Sequence, residues 1–292
     1  MNFSEKLKEI RRKEGISQEQ LAEKIGVTRQ AITKWETGKG LPDIENMVII
    51  AEIFKTTIDE LLMDSVTKAV PEAFVYTSET IYDIDCEKHF DVSIGSAATI
   101  MLSSGDDEKL HVKLSSETLE NLDSMFKIKL DDRKNRLDVI CLNKNKLSRY
   151  EAGESLTVEI ILPNKYSDIC EIAASVKLLA ISNLHLNRLE YDGDAEKVLI
   201  SNSSGSLELT AKTDYEITVD KITGRLDINQ WKGKAIIHIP EENIVNVINK
   251  GRKCNVYFMK EGKITECENV ADSENEISIS GMFSELVLDL LG

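Results

Sequence analysis

Arg29, Gln30, Thr33 and Lys34 are where the residue types and spacing of this chain point to chemistry. Offsets of one, four and five residues leave all four on the outward side of a helix whose inward side holds Ile32 and Trp35. The outward groups are a guanidinium fork, a carboxamide, a hydroxyl and an ammonium. Such groups can bind base edges and phosphate oxygens, and the outward geometry leaves Gln30 and Lys34 free to meet base edges. Arg29 suits a guanine or a phosphate. Gln18, at a helix start, and Lys39, in the following loop, suit phosphates.

The elements that must position these groups are written into the stretch from Ser17 to Gly38. Ser17 with Gln20 three residues on reads as a capping box, and Leu21, Ala22 and Ile25 form an apolar stripe, which predicts a helix over about 18–25. Gly26 stops that helix where positive φ costs little, Val27 fills the angle, and Thr28 caps a second helix. Ala22 lies where the two helices cross closely, so its small size counts as much as the charges. The pattern is a helix-turn-helix. Residues 4–14 predict a helix ahead of it, with Phe3, Leu7 and Ile10 inward and Gly15 as its stop. Asp43 to about Phe54 predicts a fourth helix through Ile44, Met47, Val48, Ala51 and Phe54, and Thr57 with Glu60 caps a fifth.

Residues 4–63 resemble the DNA-binding domain of lambda-type phage repressors and Xre-type bacterial regulators. The likeness rests on Gln18, Ala22, Gly26, Thr28–Ile32, Lys34–Gly38, Leu41-Pro42-Asp43 and Ile58–Leu62. It implies an all-α five-helix domain and a double-stranded DNA partner. It also implies a pair between Arg11, late in the first helix, and Glu36, late in the recognition helix; on the residues alone, a solvated surface pair is the other reading.

The chain is long enough for one large or two domains, and its 41% hydrophobic content can build a core. A net charge of −15 argues against nucleic acid until it is divided. Residues 1–63 hold 10 basic against 11 acidic residues, leaving 26 against 40 for the rest, so the acid lies mostly outside the helix-turn-helix. No apolar run approaches a membrane span and the start is charged, so the expectation is a cytoplasmic protein with no membrane partner. Five scattered cysteines, Cys86, Cys141, Cys170, Cys254 and Cys267, suit reduced thiols.

After Met63 the periodicity stops, and 64–75 reads as a linker with Pro71. Residues 76–292 then read as an all-β domain, with alternating runs at Phe90–Ile94, Leu110–Leu114, Leu156–Ile160 and Leu184–Leu186 between polar turns. Gly205–Leu209 recurs as Gly224–Ile228, and Val198–Ile200 as Ile217–Val219, each 19 residues on. A strand-turn unit repeating at that length predicts a β-solenoid, with a β-sandwich as the alternative. Over roughly 80–290 the same features resemble a bacterial family of adhesin-like β-solenoid domains of unknown function.

This region offers little chemistry. Cys86 and His89 are only two ligands of a zinc site that wants four, and Asp192 and Asp194 around Gly193 could chelate calcium, yet a turn of Asp and Gly is the expected strand connector without any ion. The expectation is therefore no catalytic residue, no metal and no cofactor. The leading function is a sequence-specific transcriptional regulator, more a repressor than an activator, working as a homodimer or higher homo-oligomer and open to an unknown effector. A cytoplasmic β-solenoid scaffold and a carbohydrate-active protein are the alternatives. One helix-turn-helix reads few base pairs, so two copies are needed, and the apolar run Ile277–Leu290 is expected at an open end of the solenoid, as an interface or a cap.

Overall fold

The computed structural model describes residues 3–37, 40, 42, 44–54, 76–145, 147–241, 243, 245–260, 263–266 and 273–291. Lys39, Cys267, the expected fifth helix and the 64–75 linker lie outside these residues, as do the side chains of Phe3, Ile44 and Val48. The chain divides into two compact units, 1–72 and 73–292.

The first unit is helical: α1 (Phe3–Lys13), α2 (Gln18–Ile25), α3 (Arg29–Glu36) and α4 (Ile44–Phe54). Leu7, Leu21, Ile32 and Ile50 are fully buried, one from each helix, and Ala22, Ile25 and Trp35 close the core around them. Each large aliphatic side chain buried this way stabilises the unit by about 1.5–3 kcal/mol. Gly26 ends α2 at φ 83°, with its N–H on the Ala22 carbonyl at 2.9 Å. That left-handed step lets the chain turn at once into α3.

The second unit is β-rich, with two short helices, Leu122–Met125 and Arg149–Ser155, that the alternating pattern did not predict. Its strands form one continuous sheet that folds back on itself, so that most turns of the chain contribute one strand to each of two parallel ladders. In one ladder Phe90, Cys170, Leu189, Leu207, Leu226 and Ile277 follow one another in register. In the other, Ile100, Leu179, Val198, Ile217, Ile237 and Leu288 do the same. These side chains are at most 1% exposed and meet in one core. The repeat seen in the sequence is the stacking step itself. Gly205 pairs with Gly224, Leu207 with Leu226 and Val198 with Ile217 across adjacent parallel strands.

Stacking order departs from chain order at both ends. From one end the layers are 136–163, 88–105, 167–182, 185–201, 203–219, 222–240, 276–291 and 246–260. The C-terminal run expected at an open end is thus an inner layer. Glu276–Met282 pairs with Ile222–Trp231 on one side and Asn246–Asn249 on the other. Leu286 and Leu288 are fully buried within this chain, so they are not an interface. The reason is parity with the core: alternating Ile277, Ile279, Leu286 and Leu288 have the same period as the layers on both sides and bury fully only between two of them. Antiparallel strands close the stack, Phe126–Arg133 on Arg136–Asn143 at one end and Lys263–Glu266 on Asn255–Lys260 at the other.

Candidate nucleic-acid interface

The outward face of α3 is held from both ends and from behind. Thr28 caps its start, its Oγ1 accepting from Ala31 N–H at 3.2 Å, while Thr37 closes its end through the Thr33 carbonyl at 3.1 Å. Ile32 and Trp35 sink into the core. Arg29, Gln30, Thr33 and Lys34 are left exposed on one side. Thr33 donates to the Arg29 carbonyl at 3.0 Å, which fixes its hydroxyl beside the helix.

Behind that face lies a charged clamp. The Arg11 guanidinium donates to Glu36 through Nε at 2.5 Å and Nη2 at 3.0 Å, and through Nη1 to the Ile16 carbonyl at 2.8 Å. Gln18 donates a third bond to the same carboxylate at 2.7 Å. The Glu36 side chain is 1% exposed and that of Arg11 10%. Burial alone would raise the Glu36 carboxyl. The hydrogen bonds from Arg11 and Gln18, with the charges of Arg11 and Lys8, outweigh burial and hold it below the usual carboxylate range. The partner effect runs the other way on Arg11: its bond to Glu36 raises the guanidinium against the burial that would lower it. The clamp ties the C-terminal turn of α3 to α1 and to the start of α2.

Gln18 is therefore partly committed inward, to Glu36, with the Thr33 hydroxyl 3.4 Å from its carbonyl oxygen. What faces outward beside it is the start of α2, capped by the reciprocal Ser17–Gln20 bonds at 3.2 and 2.7 Å. The unpaired amides of a helix start attract anions. Lys8, Arg12 and Arg29 line the groove in front of it, with Ser17, Gln18 and Glu19. Arg29 leans towards Glu19 at 3.9 Å, with both side chains well exposed, so the contact adds little stability. The sequence reading did not single out Lys8 or Arg12; the basic run Arg11–Lys13 that closes α1 was the available signal for Arg12.

In the β unit the residues singled out for chemistry serve the fold. Asp194 accepts from Thr213 in the next layer at 2.9 Å, and Asp192 is exposed at the same corner. Cys86 and His89 share a cleft with Lys88, whose ammonium is buried against Asp132 at 2.6 Å. Among the described residues no three His, Cys, Asp or Glu side chains are arranged to hold a metal. No helix there is long and apolar enough to cross a membrane.

Two capped helices joined at Gly26, the second showing a polar face, make the first unit a helix-turn-helix domain. The profile of the family described as Helix-turn-helix matches residues 7–61. An uncharacterized HTH-type transcriptional regulator of Archaeoglobus fulgidus is 38% identical over 58 residues, which are 20% of this chain and 83% of that one. The HTH-type transcriptional activator BcrR of Enterococcus faecalis is 52% identical over 62 residues, 21% of this chain and 30% of its own. The transcriptional repressor RstR of a cryptic Vibrio cholerae phage is 39% identical over 61 residues, 21% of this chain and 54% of its own. The chain belongs to the helix-turn-helix family of transcriptional regulators. Its matches span about a third to a half of BcrR and RstR, all within the N-terminal unit. The β unit resembles solved structures described as adhesins: a candidate cell adhesion protein from Clostridium sporogenes matches over 74% of this chain and 100% of its own at 12% identity and a TM-score of 0.34.

Proposed function

We propose that this chain is a sequence-specific DNA-binding regulator that reads an operator in the major groove with Arg29, Gln30, Thr33 and Lys34. The observation that carries the reading is their shared exposed face on a helix capped at both ends and clamped from behind. Gln30 and Lys34 meet base edges. Arg29 takes a guanine or a phosphate, and the start of α2 at Gln18, with Lys39 beyond α3, holds the backbone. Repression is the simpler action, since a bound protein blocks a promoter without needing a surface for the polymerase. The protein acts in the cytoplasm as a homodimer or higher oligomer. Its β unit is a β-solenoid that joins protomers or receives an effector, and no catalytic step is assigned to it.

Footprinting the full-length protein on the DNA upstream of its own gene tests this. A protected two-fold site, lost in the Gln30→Ala/Lys34→Ala variant, supports the reading. Equal protection by that variant overturns the assignment. A reporter behind the same promoter, silenced by the wild type and released by the variant, gives the sign of regulation.

A further inference from the structure

Three equivalent corners in adjacent layers of the β unit, at the step between its two ladders, hold bulky side chains in left-handed backbone. Lys232, Phe283 and Lys253 have φ of 57°, 58° and 57°. Glycine or asparagine suits such positions, and the chain uses Asn183 and Asn202 elsewhere. Long side chains kept there at a conformational cost point to a use for what they carry. Trp231, Met282 and Arg252 form the row beside them, with Met282 paired to both neighbours. Lys232 N–H reaches the Met282 carbonyl at 3.0 Å, Phe283 N–H the Arg252 carbonyl at 3.1 Å, and the Lys253 ammonium sits 5.0 Å over the Phe283 ring. Trp231 is 54% exposed and Phe283 45%. Among the described residues no carboxylate lies within ion-pair distance of Lys232, Arg252 or Lys253, and Glu285 is the nearby acid along the strand. A cationic aromatic patch thus stands out on a unit whose acids outnumber its bases.

The same edge changes sign along the stack. From corner to corner the Thr213 hydroxyl donates to Asp194 at 2.9 Å and the Lys234 amide to Asp214 at 2.8 Å, so the edge is continuous. Past Asp214 it carries Asp194, Glu196 and Glu154, all exposed, around a cleft of ≈ 310 Å³ that Tyr150 and Val176 also line. Lys177, paired with Glu154 at 2.6 Å, and the exposed Arg149 are the counter-charges within it, against Glu154, Asp194, Glu196 and Asp214. One end of the edge is cationic and aromatic; the other is anionic and concave.

We propose that this edge is a self-complementary interface for a second copy of the chain, with Trp231 and Phe283 of each copy meeting the acidic cleft of the other. A two-fold axis across the edge, between layers 203–219 and 222–240, sets Asp214 against Lys232 of the second copy. It brings Phe283 opposite Asp194, and Lys253 and Arg252 opposite layer 167–182, on whose Lys177 Glu154 is held. An edge whose charge reverses about its midpoint fits an antiparallel copy of itself, as an isologous contact requires. Layers about 4.8 Å apart make the strip about 24 Å long, enough for an interface at the small, transient end of the range. A weak contact is sufficient, because two operator-bound protomers hold each other at high effective concentration. This inference rests on the DNA-binding reading for its purpose, not for its geometry.

Charge exchange in the full-length protein tests it. Lys232→Glu/Lys253→Glu makes both ends acidic, and Asp214→Lys/Glu154→Lys makes both basic. Sedimentation across the micromolar range should show wild-type dimers, monomers for each variant alone, and dimers again on mixing the two, since the mixed pair restores both contacts. Trp231 emission should shift to the blue with association in the wild type. Variants that stay dimeric alone, or that fail to associate when mixed, overturn the proposal. So does a wild type that stays monomeric while Trp231 responds to anionic vesicles or heparin, which gives the patch another occupant. A Gln30→Ala/Lys34→Ala protein should sediment like the wild type while losing the operator. Operator loss and edge failure are therefore separable.

Discussion

Replacing Arg11 by methionine tests the clamp behind α3 and can be worked through from its geometry. The substitution keeps most of the apolar stem but removes two bonds to a carboxylate that is 1% exposed and one to the Ile16 carbonyl. Gln18 alone then remains on Glu36. Breaking a buried pair costs about 3–5 kcal/mol, because the surviving charge stays buried. The groove lined by Lys8, Arg12 and Gln18 opens beside the carboxylate, so the lower end, about 3 kcal/mol, applies. A unit of this size is stable by about 4–11 kcal/mol, and each kcal/mol moves its midpoint by about 4–8 °C. The helical circular-dichroism transition of full-length Arg11→Met should therefore fall by about 12–24 °C. Glu36→Leu in the same chain should recover much of the loss, since apolar replacement of both partners removes the stranded charge. The pH dependence has a definite sign. Glu36 is held below its ordinary pKa of 4.5, so its contribution is present above that value and is lost as pH falls through the lowered one. In the variant the Arg11 contribution is gone and only Gln18 and Lys8 still hold it down, so the gap between the two midpoints should narrow on acidification. A midpoint displaced by less than about 3 °C at neutral pH would leave only a solvated pair, worth about 0–1 kcal/mol, and refute the clamp.

Single Gln30→Ala or Lys34→Ala substitutions should each weaken operator binding by about 1–3 kcal/mol in a fluorescence-anisotropy titration, with little change on unrelated DNA if the residue reads a base. Arg12→Ala, by contrast, should weaken both alike and flatten the dependence of affinity on salt. Gly224→Ala should destabilise the β unit in urea, because its backbone is at φ 116° and an added Cβ would stand 2.4 Å from the Gly205 carbonyl oxygen. In native protein carrying Cys267→Ser, thiol labelling should modify the exposed Cys86 first. Cys141, which burial pushes up to about 11, and Cys170, fully buried and pushed higher still, should react on the timescale of unfolding.

The parts legible in the sequence are those decided within a few residues. Ser17 with Gln20, Thr28 and Gly26 each act on their own turn, so their types alone locate α2 and α3. The 19-residue recurrence around Leu207 and Leu226 was legible because those layers follow one another in the chain and the core repeats its demands at every step. What escaped depends on partners far along the chain. Gln18 looks like a surface amide until Glu36 is seen beside it. Lys8 and Arg12 look like the solvated end of α1 until the start of α2 is brought in front of them. The helix Arg149–Ser155 carried a legible capping box at Ser148 and Glu151, but the surrounding alternation outweighed it.

Placement of the last strands has the widest consequence. Residues 246–260 come off the chain with only one finished layer, 222–240, near at hand, yet they do not pair with it. They pair instead with 276–291, whose strands bond to 222–240 on one side and to 246–260 on the other. Until those closing strands insert, the layer at 246–260 has no partner of its own apart from the hairpin strand Lys263–Glu266. The corner row is completed by the same event, since Lys232, Phe283 and Lys253 become neighbours only when Phe283 arrives between the other two. A surface that needs the 276–291 layer between its neighbours is presented only once that layer is in place. An unfinished chain would show Trp231 and the cations without the aromatic ring between them. If that edge joins two copies, pairing is therefore coupled to completion of each protomer, and an incomplete protomer is excluded from the pair that holds an operator.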